Sequence, residues 1–181
     1  MTEDRAAADD PPGKRTRAVT WDDPFPALAR SREMAGIEYL QAIGRGELPW
    51  PPVHQLLGFE GESFGDGRVA MTVVPAEFQY NPLGVVHGGV LTTLMDSVMG
   101  CALHSKLAAG EGYTTLDINV RFVRGVTIET GRVRAVGELI HLGKRIATAK
   151  AEIVDLAGRL YAHATATCMI LRPEGGGKER G

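Results

Sequence analysis

The residues best suited to chemistry cluster between positions 81 and 96, in the run NPLGVVHGGVLTTLMD. His87, Gly88 and Gly89 stand where a long apolar, proline-free segment begins. If that segment is a helix, its first N–H groups have no acceptor within the helix and can donate to an oxygen. The helix dipole favours negative charge at the same place, and glycine allows close approach to the backbone. Donors of this kind suit the carbonyl oxygen of an ester or thioester under attack, where charge develops in the transition state. Taken alone, His-Gly-Gly is equally compatible with a tightly packed helix start.

Asp96 follows within the same segment, flanked by Leu94, Met95, Val98 and Met99. A lone carboxylate among apolar side chains is costly to bury. Two roles fit it. It can accept hydrogen bonds from nearby hydroxyls or backbone groups, or it can attack a carbonyl carbon or take a proton from water. From Gly88 to Asp96 is roughly 12 Å along a helix at about 1.5 Å per residue. One thioester carbon cannot sit beside both groups of one chain. Antiparallel pairing of two such helices brings Gly88 of one chain to Asp96 of the other. A homodimer with shared active sites is therefore expected, and two dimers can stack into a tetramer.

The elements that must hold these groups are legible in outline. In the segment after His87, Val90, Leu91, Leu94, Met95, Val98, Met99, Ala102 and Leu103 cover most of a helical surface. That pattern predicts a helix buried on nearly every side. Before it, Val69, Met71 and Val73 alternate with Arg68, Ala70 and Thr72, the period of a strand. Four strand candidates follow. In TTLDINVRFVR, Leu116, Ile118, Val120 and Phe122 alternate with Asp117, Asn119 and Arg121. GRVRAVGELIHLG ends in a hairpin turn at Gly143, and RIATAKAEIVD and GRLYAHATATCMIL are joined by the tight connection DLAG. Ala162, Ala164 and Ala166 form a small-side-chain face on which a helix can pack closely. The pattern predicts an α+β fold, one antiparallel sheet wrapped around one long central helix. One helix cannot cover such a sheet and also hide its own outer face, a second reason to expect a dimer.

Upstream, Leu28, Met34, Ile37, Leu40 and Ile43 give a helical stripe within a leader at 24–50. LPWPP then breaks the chain, and a short helical turn is expected at His54–Leu57 before the main domain at 52–172. Residues 1–20 and 173–181 lack periodicity and read as disordered tails.

Composition excludes several functions. The formal net charge is −2, and basic residues are not interleaved with aromatics, so nucleic-acid binding is not expected. Cys101 and Cys168 are too few for a disulfide framework, and the Cys101/His104 pair lacks further partners at zinc spacing, so no metal site is expected. No signal-peptide pattern or membrane-length apolar run occurs, and a soluble cytoplasmic protein is the expectation. Dinucleotide and Walker motifs are also missing, and a nucleophile elbow of the α/β-hydrolase kind is not expected.

The segment NPLGVVHGGVLTTLMDSVMG resembles the signature of the PaaI-like hotdog-fold acyl-CoA thioesterases, and the resemblance extends over about residues 52–172. It implies hydrolysis of an aromatic or medium-chain acyl-CoA, without a cofactor beyond the coenzyme A of the substrate. It implies that Asn81 helps place the nucleophile or thioester and that His87 orients the carbonyl region. The Gly88 N–H, with Gly89 adjoining, polarises the carbonyl. Asp96 is nucleophile or general base, and Thr115 helps hold the water. Asn81 before Pro82 is also a good turn residue, and Thr115 a good strand former. A CoA substrate needs cations for its phosphates, and Arg121, Arg124, Lys144 and Arg145 are the candidates. Hotdog proteins that hydrate enoyl thioesters, or bind acyl-CoA without turnover, are the competing classes. No histidine stands beside Asp96 as the hydratase pair requires.

Overall fold

The computed structural model describes residues 13–172. Three short helices come first: α1 (Pro24–Ser31), α2 (Gly36–Gly44) and α3 (Pro52–Leu57). Strands β1 (Phe59–Gly65) and β2 (Arg68–Val73) form a hairpin, and the long helix α4 (Gly88–His104) follows. Strands β3 (Gly112–Phe122), β4 (Val133–Leu142), β5 (Ile146–Asp155) and β6 (Leu160–Leu171) follow it within the described residues. All pairings in the sheet are antiparallel, in the order β1-β2-β4-β5-β6-β3. This is the expected hotdog architecture, with α4 lying against one face of the sheet.

Small residues let the helix lie that close. A Cβ built on Gly137 of β4 would stand 2.3 Å from the Val98 carbonyl oxygen, so strand and helix backbones touch there. Ala162, Ala164 and Ala166 of β6, with Ala147, Ala149 and Ala151 of β5, are buried in the same core. Met71, Leu94, Met95, Met99, Leu103 and Ile153 fill the remaining space.

The structure differs from the sequence expectation at four places. The sheet gains β1, whose sequence FEGESFG has no apolar alternation and whose residues are mostly exposed. The leader is not one helix but α1 and α2, interrupted at residues 32–35. Helix α4 is not buried all round. One protomer's sheet covers a single side, and Thr92, Thr93, Asp96 and Ser97 form a half-open stripe on the other. The alternation in β3 is shifted by a bulge between Thr115 and Asp117. Of the expected tails, residues 1–12 and 173–181 lie outside the described residues. Arg17 donates to the carbonyls of Gln55 and Leu56 and stacks over the Phe78 ring, 3.8 Å from its centroid.

Candidate active site

Helix α4 begins at His87, whose Nδ1 accepts the Gly89 N–H at 2.9 Å. This side-chain cap satisfies one of the helix's orphan donors. An accepting Nδ1 places the proton of the neutral ring on Nε2. The cap uses the Gly89 amide. The Gly88 amide has no partner among the described residues and remains available as a donor. A Cβ on Gly88 would meet the Phe122 ring at 3.0 Å, so glycine keeps this helix start narrow and open.

Asn81 is drawn into the preceding turn. Its Oδ1 accepts from the Leu83 N–H at 2.8 Å and the Val85 N–H at 3.4 Å, and its carbonyl accepts from Gly84. The side-chain oxygen thus serves the loop. Asn81 still lines a cleft of about 310 Å³ together with Gly88, Leu91, Phe122 and Arg124.

Asp96 lies two turns further along α4, half-buried, and its Oδ1 accepts a 3.0 Å hydrogen bond from Thr115 Oγ1. The β3 bulge makes this contact possible. Thr115 pairs with Cys168, and Ile118 with Ala166, so an odd and an even position share the inward face. Strict alternation would have aimed Thr115 away from the helix; the extra residue, Leu116, re-aims it. Leu116 itself is 53% exposed.

The groups around Asp96 are poor nucleophiles. The Cys101 thiol is pushed up to about 12, first by burial and then by the Asp96 carboxylate. The Cys168 thiol is also raised by burial, and Tyr113 is held well above its usual value by burial and by Cys101, Asp96 and Cys168. Sequence reasoning passed over Tyr113, whose hydroxyl would stand 2.2 Å from a Cβ on Gly100. The glycine four residues after Asp96 was its available signal.

The basic residues divide between the two ends of the sheet. Arg124 lines the Gly88 cleft and donates to the Leu160 carbonyl. Arg121 is exposed and bonded to Asn119. Lys144 and Arg145 sit in the β4–β5 turn, where their carbonyls accept from Arg172 and Ile170. That turn adjoins the opposite end of β6, so one protomer does not bring these two to the Gly88 cleft.

With this geometry in place, the relatives are informative. The thioesterase superfamily profile matches residues 83–162, which span the Gly88 amide, Asp96 and Thr115. The 1,4-dihydroxy-2-naphthoyl-CoA hydrolase of Escherichia coli (strain K12) is 30% identical over 135 residues, 75% of this chain and 94% of the relative. The chain belongs to the thioesterase superfamily. Solved structures agree. A phenylacetic acid degradation-related protein from Ralstonia eutropha JMP134 superposes with a TM-score of 0.65 at 30% identity, over 71% of this chain and 97% of that one. A conserved protein of Pseudomonas aeruginosa gives a TM-score of 0.64 at 31% identity, over 67% and 95%. As a superfamily member the chain is a thioester hydrolase of the hotdog fold.

Proposed function

We propose that this chain hydrolyses acyl-CoA thioesters with aromatic or medium-chain acyl groups, releasing the free acid and coenzyme A. The observation that carries this is the pairing of an unengaged Gly88 N–H at a helix start with a hydroxyl-held carboxylate, Asp96, on the same helix. Asp96 takes a proton from water, which adds to the thioester carbon, or adds to that carbon itself and is then hydrolysed. Charge gathers on the carbonyl oxygen beside the Gly88 amide. The carbon–sulfur bond then breaks, and the CoA thiolate leaves and is protonated. His87 fixes the helix start, Asn81 the loop before it, and Thr115 the carboxylate. No cofactor enters these steps.

The two key groups lie roughly 12 Å apart along one helix at about 1.5 Å per residue, so the site is shared across a homodimer. Support comes from β3, an edge strand of 11 residues. Its Ile118, Val120 and Phe122 pair with the buried Ala166, Ala164 and Ala162, yet Phe122 is 52% exposed. An edge so long and apolar calls for a partner. Stacking of two dimers is the further assembly proposed. Arg124, at the cleft, is proposed to meet a CoA phosphate; Arg121, Lys144, Arg145 and the Gly89 region are proposed as further contacts across the dimer. An aromatic acyl group is favoured by the naphthoyl-CoA relative. The absence, among the described residues, of a helix long and apolar enough to cross a membrane accords with a proposed cytoplasmic location.

The test is thiol release over a panel of aromatic and straight-chain acyl-CoAs, with Asp96→Asn beside the wild type. Hydrolysis by the wild type and a loss of about a thousandfold or more in the variant are expected. Equal turnover by a folded variant would remove Asp96 from the chemistry. Rapid quench and mass spectrometry of the protein during turnover separate the two routes, because only direct attack passes through an acyl group bonded to Asp96.

A further inference from the structure

A second cavity, of about 250 Å³, lies between the leader helices and α4. Leu40, Ile43 and Trp50 form its leader side; His54, Cys101 and Tyr113 close it towards the reaction centre. Most of its wall comes from residues 28–71, ahead of the residues 83–162 that the superfamily profile matches. Among the described residues, no aspartate, glutamate, lysine or arginine lines it.

Three residues of the cavity wall stand near Asp96 in the fold. Cys101 is five residues after Asp96 on α4, roughly 7.5 Å along the axis at about 1.5 Å per residue. Tyr113 precedes Thr115 by two residues on the inward face of β3, and its hydroxyl lies against Gly100. His54 Nε2 is 3.1 Å from Ser97 Oγ, on the residue next to Asp96. Tyr113, packed against Gly100, thus stands between carboxylate and cavity and is the side chain an acyl chain must displace to reach it.

Resting on the hydrolase reading, we infer that this leader-built cavity receives the far end of the acyl group and selects uncharged chains long enough to reach it. An extended chain advances about 1.3 Å per carbon–carbon bond of about 1.5 Å, so about six carbons span the stretch of α4 from Asp96 to Cys101. At about 30 Å³ per water-sized group, the cavity then holds roughly eight more such groups. Butyryl groups stop short of it. A terminal carboxylate would enter a chamber with no cation to pair it, a costly burial. His54 supplies no charge, since burial holds its ring down to about 4.

The experiment measures kcat/KM by thiol release for butyryl-, hexanoyl-, octanoyl-, decanoyl- and adipoyl-CoA. Ile43→Phe, which narrows the cavity, is expected to lose about tenfold or more on octanoyl- and decanoyl-CoA while butyryl-CoA stays within about twofold. Trp50→Ala, which widens it, is expected to move the optimum to longer chains. The wild type is expected to use adipoyl-CoA about tenfold or more less well than hexanoyl-CoA. Opposite shifts in the two variants cannot come from general destabilisation, and Trp50→Ala alone decides if Ile43→Phe does not fold. Thiol release with an unshifted chain-length profile overturns this inference alone. No thiol release by the wild type from any acyl-CoA overturns the hydrolase reading and this inference with it.

Discussion

Thr115→Val removes one hydroxyl from the proposed reaction centre and almost nothing else. Thr115 Oγ1 donates to Asp96 Oδ1 at 3.0 Å, and its contact with Cys168 Sγ, at 3.9 Å, is weak. A hydrogen bond to a charged group contributes about 1.5–3 kcal/mol. Asp96 is half-buried, so water replaces part of that bond, and about 1–2 kcal/mol is the appropriate range. If the bond holds the carboxylate in its reactive position, kcat falls about 5- to 30-fold. Valine is a good strand residue of similar volume, so the denaturation midpoint should move little. Thr115→Ser keeps a hydroxyl and should recover most of the rate. Steady-state thiol release by the three proteins checks this. A Thr115→Val rate within about twofold of wild type, or Thr115→Ser no better than Thr115→Val, would refute a positioning role for this hydroxyl.

Other substitutions follow from the same packing. Gly88→Ala places a Cβ 3.0 Å from the Phe122 ring. It should cost about tenfold or more in kcat by disturbing the amide donor, and Gly88→Ala/Phe122→Leu should regain part of it in the same assay. Gly137→Ala would press a methyl group against the Val98 carbonyl at 2.3 Å, backbone on backbone. A loss of about 3 kcal/mol or more, or failure to fold, is expected in urea titrations. His54 predicts a pH dependence. Burial lowers its folded-state value to about 4, against about 6.5 in an unfolded chain. Between those values the unfolded state binds the extra proton, so stability is full above pH about 6.5 and falls as pH drops towards 4, by up to about 3 kcal/mol. Urea midpoints at pH 7.5 and 4.5 should show the loss, and His54→Phe should reduce it.

The parts of the fold that follow local rules could be read from the chain. Helix α4 announces itself through its apolar residues and its His-Gly-Gly start, and the alanines of β6 mark a close helix–sheet contact. Strand β1 could not be read, because FEGESFG carries no alternation and owes its conformation to pairing with β2. The β3 bulge was invisible for a related reason. Leu116, Ile118, Val120 and Phe122 mimic a regular strand, and only pairing with β6 shows that the register slips after Thr115. Asn81 suited both a turn and a site, and the structure spends its side-chain oxygen on the turn. The leader cavity depends on how α2 and α3 dock beside α4, a tertiary fact that no local pattern encodes. The basic residues were indistinguishable in sequence, and their separation comes from which end of the sheet each occupies.

Subunit complementation addresses the shared site directly. Gly88→Val and Asp96→Asn chains, each expected to be inactive as homodimers, are co-expressed with different tags, and the mixed dimer is isolated. If the amide of one chain works with the carboxylate of the other, the mixed dimer has one doubly damaged site and one intact site. It should then recover about half of the wild-type kcat per dimer. A mixed dimer as inactive as either parent would show that each chain keeps both groups for itself.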